Sequence, residues 1–259
     1  VSALDSNLAI TIKREVNRLR SAQSFLELNE MVPMLMIALA KDLKQLVDQE
    51  MRDAYVHGFK SAATEDNVKV IEKSESNGSK NELSDTLVYK GESLDIDFDQ
   101  ADEDAIRALQ SGKVQTNVYS ELSVVLSAKL NTEVNNAIVE GRSIPNTVAE
   151  MQKVINTESY KLTRIARTEI INVTNEGRLA SYQKQEKKRK KPFKYTLVVA
   201  SGPRTCDAHH ELARRIPNEG MLMDDLIQLQ QSVGSSYGFT LRGNSLLHPN
   251  QRTVLMRVP

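Results

Sequence analysis

A chain of 259 residues with 40% apolar content has room for one large or two modest domains with buried cores. Its 34 basic and 34 acidic residues cancel, so net charge selects no partner, and 5% aromatics without a Trp argue against a base-stacking nucleic-acid surface. A single cysteine excludes an intrachain disulfide framework and suits a reducing cytosol, and the first twenty residues lack the apolar segment of a signal peptide.

Leu4, Leu8, Ile12, Leu19 and Leu26 recur at helical spacing and predict a first amphipathic helix ending before Pro33. Pro33 suits a first helical turn, so a second helix is expected from there to about Gly58, carrying Met34–Ala40, Leu43, Leu46, Val47 and Met51. The apolar run Met31–Ala40 is shorter than the ~20 residues that span a bilayer. It reads as a helix buried in a bundle or, alternatively, as a Met-rich docking surface. Periodicity then disappears from Ser61 to Gln100, where Asn77-Gly78 is a turn signal and Thr86–Tyr89 a candidate short strand. Asp95, Asp97 and Asp99 imitate the start of a calcium loop, but Gln100 and Ile106 stand where that loop needs Gly and Glu. Asp102, Glu103 and Asp104 instead suit the positive N-terminus of a following helix.

A long helix is expected from Val114 to Ile138, stopped by Gly141. Thr147 and Glu150 form a capping-box pattern that opens a short helix, and Thr157 can cap the next. That next stretch, Glu158–Gln183, is an amphipathic helix of about seven turns. Leu162, Ile165, Ala166, Val173, Gly177 and Ala180 line one side, with Glu169 and Glu176 inside the stripe. A carboxylate facing a core needs a cation or several donors, so this helix must meet a cation from elsewhere. Beyond it, Lys184–Lys194 holds seven basic residues and one acidic one, which suits either a solvated helix end or a phosphate-binding surface. A strand is expected at Tyr195–Ala200, a last helix at Leu222–Val233, and a closing strand at Thr253–Val258.

The soft-ligand candidates are Cys206, His209, His210, His248 and His57. Cys206-x-x-His209 has usable zinc spacing, with His248 as a third ligand. His210-Glu211-Leu212-Ala213-Arg214 begins like the metalloprotease helix, but Arg214 stands where the second ligand is needed. The chain carries no G-x-S-x-G, no G-x-x-x-x-G-K and no G-x-G-x-x-G pattern.

The segment RIARTEIINVTNEGRL resembles the "IARTE…N…G" helix of the phage Mu F-like minor head proteins, a family of head morphogenesis proteins of tailed phages. In that family a strand follows, then a D-x-R-T-C-x-x-C type turn and a terminal H-P-N-C-R-C segment. The counterparts here are Tyr195–Ala200, Gly202–His209 and His248–Thr253, so the resemblance covers roughly Gly141–Met256. Gly202 replaces the family's Asp, and His209, Gln251 and Thr253 stand at positions typically held by cysteines. No bound metal or other cofactor is therefore expected.

The resemblance implies a mainly α chain with a small α+β C-terminal unit and a short antiparallel sheet. Three regions are expected: an N-terminal helical region 1–60, a polar linker or hairpin excursion 61–100, and a helical plus αβ head-morphogenesis module 101–259. It places Arg204 and Arg252 near the central helix, where either can pair with Glu169, so that Arg167, Glu169, Arg204, His248 and Arg252 form an internal structural clamp. The implied function is that of a structural, non-enzymatic minor head protein, made in the host cytoplasm and built into the virion head near the portal. The implied partners are the portal protein, the major capsid or scaffold proteins and phage DNA, with no membrane and no small-molecule substrate. One alternative is a DNA-binding head protein acting through the basic block 184–194, with Lys187, Lys188, Arg189, Lys190 and Lys191 as the nucleic-acid-binding candidates. A third reading is an enzyme or toxin-like module.

Overall fold

A computed structural model describes residues 2–65, 69–72, 94–111, 113–199, 205–239 and 253–258. The chain is mainly helical and ends in a small antiparallel sheet, as expected. It runs α1 (Ser2–Leu19), α2 (Phe25–Glu65), β1 (Lys69–Glu72), β2 (Asp95–Phe98), α3 (Gln100–Gln110), α4 (Lys113–Glu140), α5 (Ile144–Arg189), β3 (Lys194–Val199), α6 (Asp207–Arg215), α7 (Met223–Ser236) and β4 (Thr253–Val258). The residues cluster into two compact units, one of 1–50 with 110–167 and one of 51–109 with 168–259. Both long helices, α2 and α5, supply residues to each.

Several boundaries differ from the expected ones, each for a local reason. The first helix stops at Leu19, and α2 starts well before Pro33 because Ser24 caps it: its hydroxyl accepts from the Glu27 amide at 3.1 Å, while Glu27 accepts from the Gln23 amide at 2.8 Å. Pro33 therefore sits inside the helix, which continues past Gly58 to Glu65. At the other long helix, Ser143 is the cap, accepting from the Asn146 amide at 3.4 Å. Thr147 and Thr157 are interior, and each hydroxyl donates to the carbonyl four residues back. The expected short helix and central helix are one. Gly141 ends α4 at φ +67°, and the Arg142 amide reaches the Ala137 carbonyl at 2.9 Å, the crossed pattern of a glycine C-cap.

In the first unit α1, the first part of α2, α4 and the first part of α5 bury Leu8, Ile12, Val16, Leu28, Val32, Leu35, Leu126, Leu130, Val148 and Ile155. The Met31–Ala40 run is split, since Met34 and Ile37 are exposed while Leu35, Met36 and Leu39 are buried. Among the described residues two carboxylates are buried there and both meet cations. Glu15 accepts from Arg14 at 2.7 Å and Arg18 at 2.8 Å, and Glu158 pairs with Lys129 and Lys161. The Lys129 hydrogen bond, opposed by burial and assisted by Lys161, holds the Glu158 carboxyl below its ordinary range. A carboxylate with a depressed folded pKa adds stability above its unfolded value of about 4.3, and that stability disappears as pH falls through the folded pKa. Glu158→Gln is expected to reduce the steepness of acid unfolding below about pH 4 while changing little in relative terms between pH 6 and 8, as read from urea midpoints across pH.

In the second unit the expected calcium-like stretch is β2, whose Ile96 and Phe98 face inward while Asp95 and Asp97 are half-buried. It pairs with β1 in parallel, Lys69 opposite Asp95. Phe98 packs edge-on against Phe59 and Tyr55 of α2, with ring centroids 5.3 and 6.3 Å apart. Asp99 and Asp102 cap α3 reciprocally: Asp99 accepts from the Ala101 amide at 3.0 Å and Asp102 from the Asp99 amide at 2.9 Å. The acidic run is thus a helix start, as its charge pattern suggested. β3 and β4 pair antiparallel, Lys194 opposite Val258. Leu197 and Leu255 of this sheet share a core with Leu179 and Tyr182 of α5, Leu212 of α6 and Leu226 and Val233 of α7. Helix α6 occupies the residues after Cys206 that were expected to end a turn. The candidate strand Thr86–Tyr89, the Asn77-Gly78 turn signal and the segments holding Arg204, His248 and Arg252 lie outside the described residues.

Candidate functional site

The organising element is the stretch of α5 from Thr168 to Gln185. Its apolar face, Ile170, Val173, Gly177 and Leu179, is buried, but so are Thr168, Asn172, Asn175, Arg178, Ser181 and Gln185. The helix therefore has a second buried stripe, and that stripe is polar.

The reason is the free edge of β4. Successive residues of a strand direct their main-chain groups to opposite edges, so Thr253, Leu255 and Arg257 present theirs away from β3. An unpaired buried N–H or C=O costs about 1–3 kcal/mol, and α5 supplies partners to the Thr253 carbonyl, to both main-chain groups of Leu255 and to the Arg257 amide. The Asn175 side chain donates to the Thr253 carbonyl and accepts from the Leu255 amide, both at 3.0 Å. Arg178 Nε donates to the Leu255 carbonyl, and the Arg257 amide donates to the Tyr182 hydroxyl. Residues at i, i+3 and i+7 of one helix thus stand in for a third strand.

Arg178 also joins this edge to α2. Its Nη1 donates to the Ser61 hydroxyl at 3.1 Å, and its Nη2 to Glu65 at 2.6 Å and to the Tyr182 hydroxyl at 2.9 Å. Tyr182 in turn donates to Glu65 at 2.8 Å. Burial pushes the Tyr182 phenol above its ordinary range against the pull of the Arg178 guanidinium, and Glu65 adds to the upward shift, so the hydroxyl keeps the proton it donates. One turn away the two helices touch backbone to backbone. A Cβ on Gly177 would fall inside 3.0 Å of the Tyr55 carbonyl, and one on Gly58 inside 3.0 Å of the Thr174 carbonyl.

Residues 128–230 match the model of the phage Mu protein F like protein family. This supports the resemblance read from the "IARTE…N…G" helix, and the matched segment runs from within α4 through most of α7, taking in Asn175, Gly177, Arg178 and Cys206. It is less than half of the 259 residues and leaves out Gly58, Glu65 and β4. No curated protein and no solved structure matches the chain.

Glu169 and Glu176 raised the expectation of a cation supplied to this helix from elsewhere in the chain; the buried guanidinium found here is instead that of Arg178, and its carboxylate partner is Glu65 of α2. Arg178 belongs to the helix itself, so an i-to-i+4 reading assigns it to solvent. Only the position of β4 reveals that it is 4% exposed. Arg167 and Glu169 of the expected clamp are both half-buried on α5, while Arg204, His248 and Arg252 lie outside the described residues.

The basic block divides in two. Lys184 is turned inward, paired with Asp102 and, at 3.1 Å, with Asp99, donating to the Asp97 carbonyl at 2.7 Å and lying 5.4 Å from the Phe59 ring centre. Burial raises the Asp99 carboxyl, but the Lys184 hydrogen bond and charge with the Ala101 and Asp102 amides outweigh it and leave Asp99 below its ordinary range. Lys187, Lys188, Arg189, Lys190 and Lys191 are exposed, although Lys188 donates to the Asp95 carbonyl. Lys190 ends α5 at φ +52°, doing in the left-handed region what glycine does at the end of α4.

Cys206 is the N-cap residue of α6, and its sulfur lies 3.0 Å from Nδ1 of the buried His209. The pair ties the first turn of α6 together. Among the described residues no three His, Cys, Asp or Glu side chains converge on a site able to hold a metal ion, and His248 falls outside them. Arg214, at the position that interrupts the protease-like motif, pairs with Glu211 one turn back.

Proposed function

We propose that the chain is a structural minor head protein of a tailed phage, built into the virion head near the portal, with the portal protein and other head-assembly proteins as partners. The observation that carries this reading is the match of residues 128–230 to the phage Mu protein F like family. The geometry agrees with a scaffolding role: the polar residues buried on α5 are spent on holding a strand and a neighbouring helix in register. Quantifying the chain in purified particles tests the proposal. A fixed, low ratio to the portal protein is expected, and recovery from host cytoplasm alone would overturn it.

A second reading rests on the exposed Lys187, Lys188, Arg189, Lys190 and Lys191, of which Lys188 is held by the Asp95 carbonyl and the other four offer their charge to phosphate oxygens. Contacts of that kind are indifferent to base sequence and weaken steeply with salt. Lys187→Gln, Arg189→Gln, Lys190→Asn and Lys191→Gln together leave Lys184 and Lys188 in their structural bonds and put Asn where φ is positive. This variant is expected to fold normally, to bind DNA weakly with a flatter salt slope, and to give particles that assemble but package or eject DNA poorly. Unchanged DNA affinity, read by fluorescence anisotropy between 50 and 200 mM salt, would remove the DNA-binding reading.

A further inference from the structure

In the first unit the inward side of α2, with Leu28, Val32, Leu35, Leu39 and Leu43, is buried in that unit's core. The outward side carries a second pattern. Glu27, Glu30, Met34, Ile37, Lys41 and Lys44 are all exposed and follow one another at alternating steps of three and four residues, the spacing of a coiled-coil seam. Met34 is 72% and Ile37 70% exposed, so the apolar centre of this seam has nearly all of its area still to bury. The helix dipole accounts for Glu27 in the first turn, but not for Lys41 and Lys44, since α2 continues for about six turns beyond them.

The seam is acidic at one end and basic at the other, and its midpoint lies between Leu35 and Met36. Turned end for end about that midpoint, it matches itself. Glu27 falls opposite Lys44, Glu30 opposite Lys41 and Met34 opposite Ile37, and beside them Pro33 falls opposite Ala38. We propose that this face of α2 binds the same face of a second copy of the chain, antiparallel and two-fold symmetric. A parallel copy would set Glu against Glu and Lys against Lys, and an anionic partner would meet as much repulsion as attraction. The inner pair, Glu30 with Lys41, has the larger share of the charge term, because Glu27 already accepts from the Gln23 amide and Lys44 already pairs with Asp48. From Glu27 to Lys44 the helix rises about 26 Å, and one helix face of that length buries less than the roughly 1,600 Å² of a standard interface. Pairing is therefore weak and concentration-dependent.

Analytical ultracentrifugation of the full chain from about 10 µM to about 1 mM reads the pairing, and a reversible monomer–dimer equilibrium is expected in that range. Met34→Gln with Ile37→Gln removes the apolar centre while keeping the helix, and should leave only monomer. Glu30→Lys and Lys41→Glu each turn two opposite-charge contacts of the dimer into two like-charge ones, and each should weaken it about ten-fold. Mixed in equal amounts, these two variants should pair with each other about as tightly as the unaltered chain pairs with itself, because each supplies the charge that the other lacks. Damage to the fold would give no such rescue. A chain that stays monomeric to about 1 mM overturns the proposal. So does association that survives the Met34 and Ile37 change, that ignores both charge reversals, or that is no tighter in the mixture than in its parts. If the variant without the apolar centre fails to fold, the two charge variants and their mixture still decide.

Discussion

Arg178→Met is expected to destabilise the second unit by about 3 to 5 kcal/mol, the usual cost of removing one partner from a buried charged network. On a unit of this size that is a fall in melting temperature of roughly 10 °C. The guanidinium is 4% exposed and serves the Leu255 carbonyl, Ser61, Glu65 and Tyr182 at once. Methionine fills much of the same volume, so the loss is of hydrogen bonds and not of packing. Glu65 is 36% exposed and regains water when its partner leaves, which makes Glu65→Gln the milder change, at about 1 kcal/mol. The Leu255 carbonyl has no such recourse. Arg178→Lys keeps the charge but loses the planar fork that reaches four acceptors, and it should recover only part of the stability. Urea unfolding measures the totals, and amide exchange locates them, since β4 should open first. A variant Arg178→Met as stable as the parent would mean that the edge of β4 is held by something other than this side chain.

Much of the fold was legible in the sequence because it rests on period and punctuation. Val114–Ile138 with Gly141, and Thr253–Val258, are patterns whose meaning does not depend on distant residues. The boundaries that failed were contests between local signals. Thr147 and Glu150 satisfy a capping box on paper, but Ser143 lies one turn earlier and Pro145 suits the opening turn of a helix, so the helix begins there and Thr147 becomes interior. Ser24 and Glu27 carried the same signal for α2 and outrank Pro33 as a starting point. The polar stripe of α5 was illegible for a different reason. Asn175, Arg178 and Tyr182 have the spacing of an ordinary solvent face, and what buries them is a strand over seventy residues later in the chain. Buried carboxylates demand cations, and Glu15 and Glu158 have theirs although no apolar stripe had marked either. In the basic block, charge alone could not separate Lys184 from its neighbours. Its partners are the acidic residues around the start of α3, and only their fold brings them to it.

The second large effect is expected at the crossing of α2 and α5. Alanine is the better helix former by about 1 kcal/mol, so Gly58→Ala or Gly177→Ala would stabilise a helix whose surface was free. Here the new Cβ would sit inside 3.0 Å of a backbone carbonyl on the facing helix, and no rotamer change removes a backbone atom. The helices must move apart, and with them the Tyr55, Phe59 and Phe98 rings that pack beside the crossing. Overpacking of a core costs about 1–3 kcal/mol and more where the neighbour cannot yield, so each substitution should cost about 3 kcal/mol net of the propensity gain. Both methyl groups relieve themselves by the same displacement, so the second enters a gap that the first has opened. The double variant should therefore fall short of the sum of the two by at least about 1 kcal/mol, a coupling that distant sites do not show. Gly141→Ala is the contrasting case. Nothing lies within 4 Å of its Cβ, and its cost comes from φ +67° alone, about 1 kcal/mol and additive with either crossing variant. If Gly177→Ala proves more stable than the parent in urea, helix propensity has won, and the two helices do not cross at backbone contact.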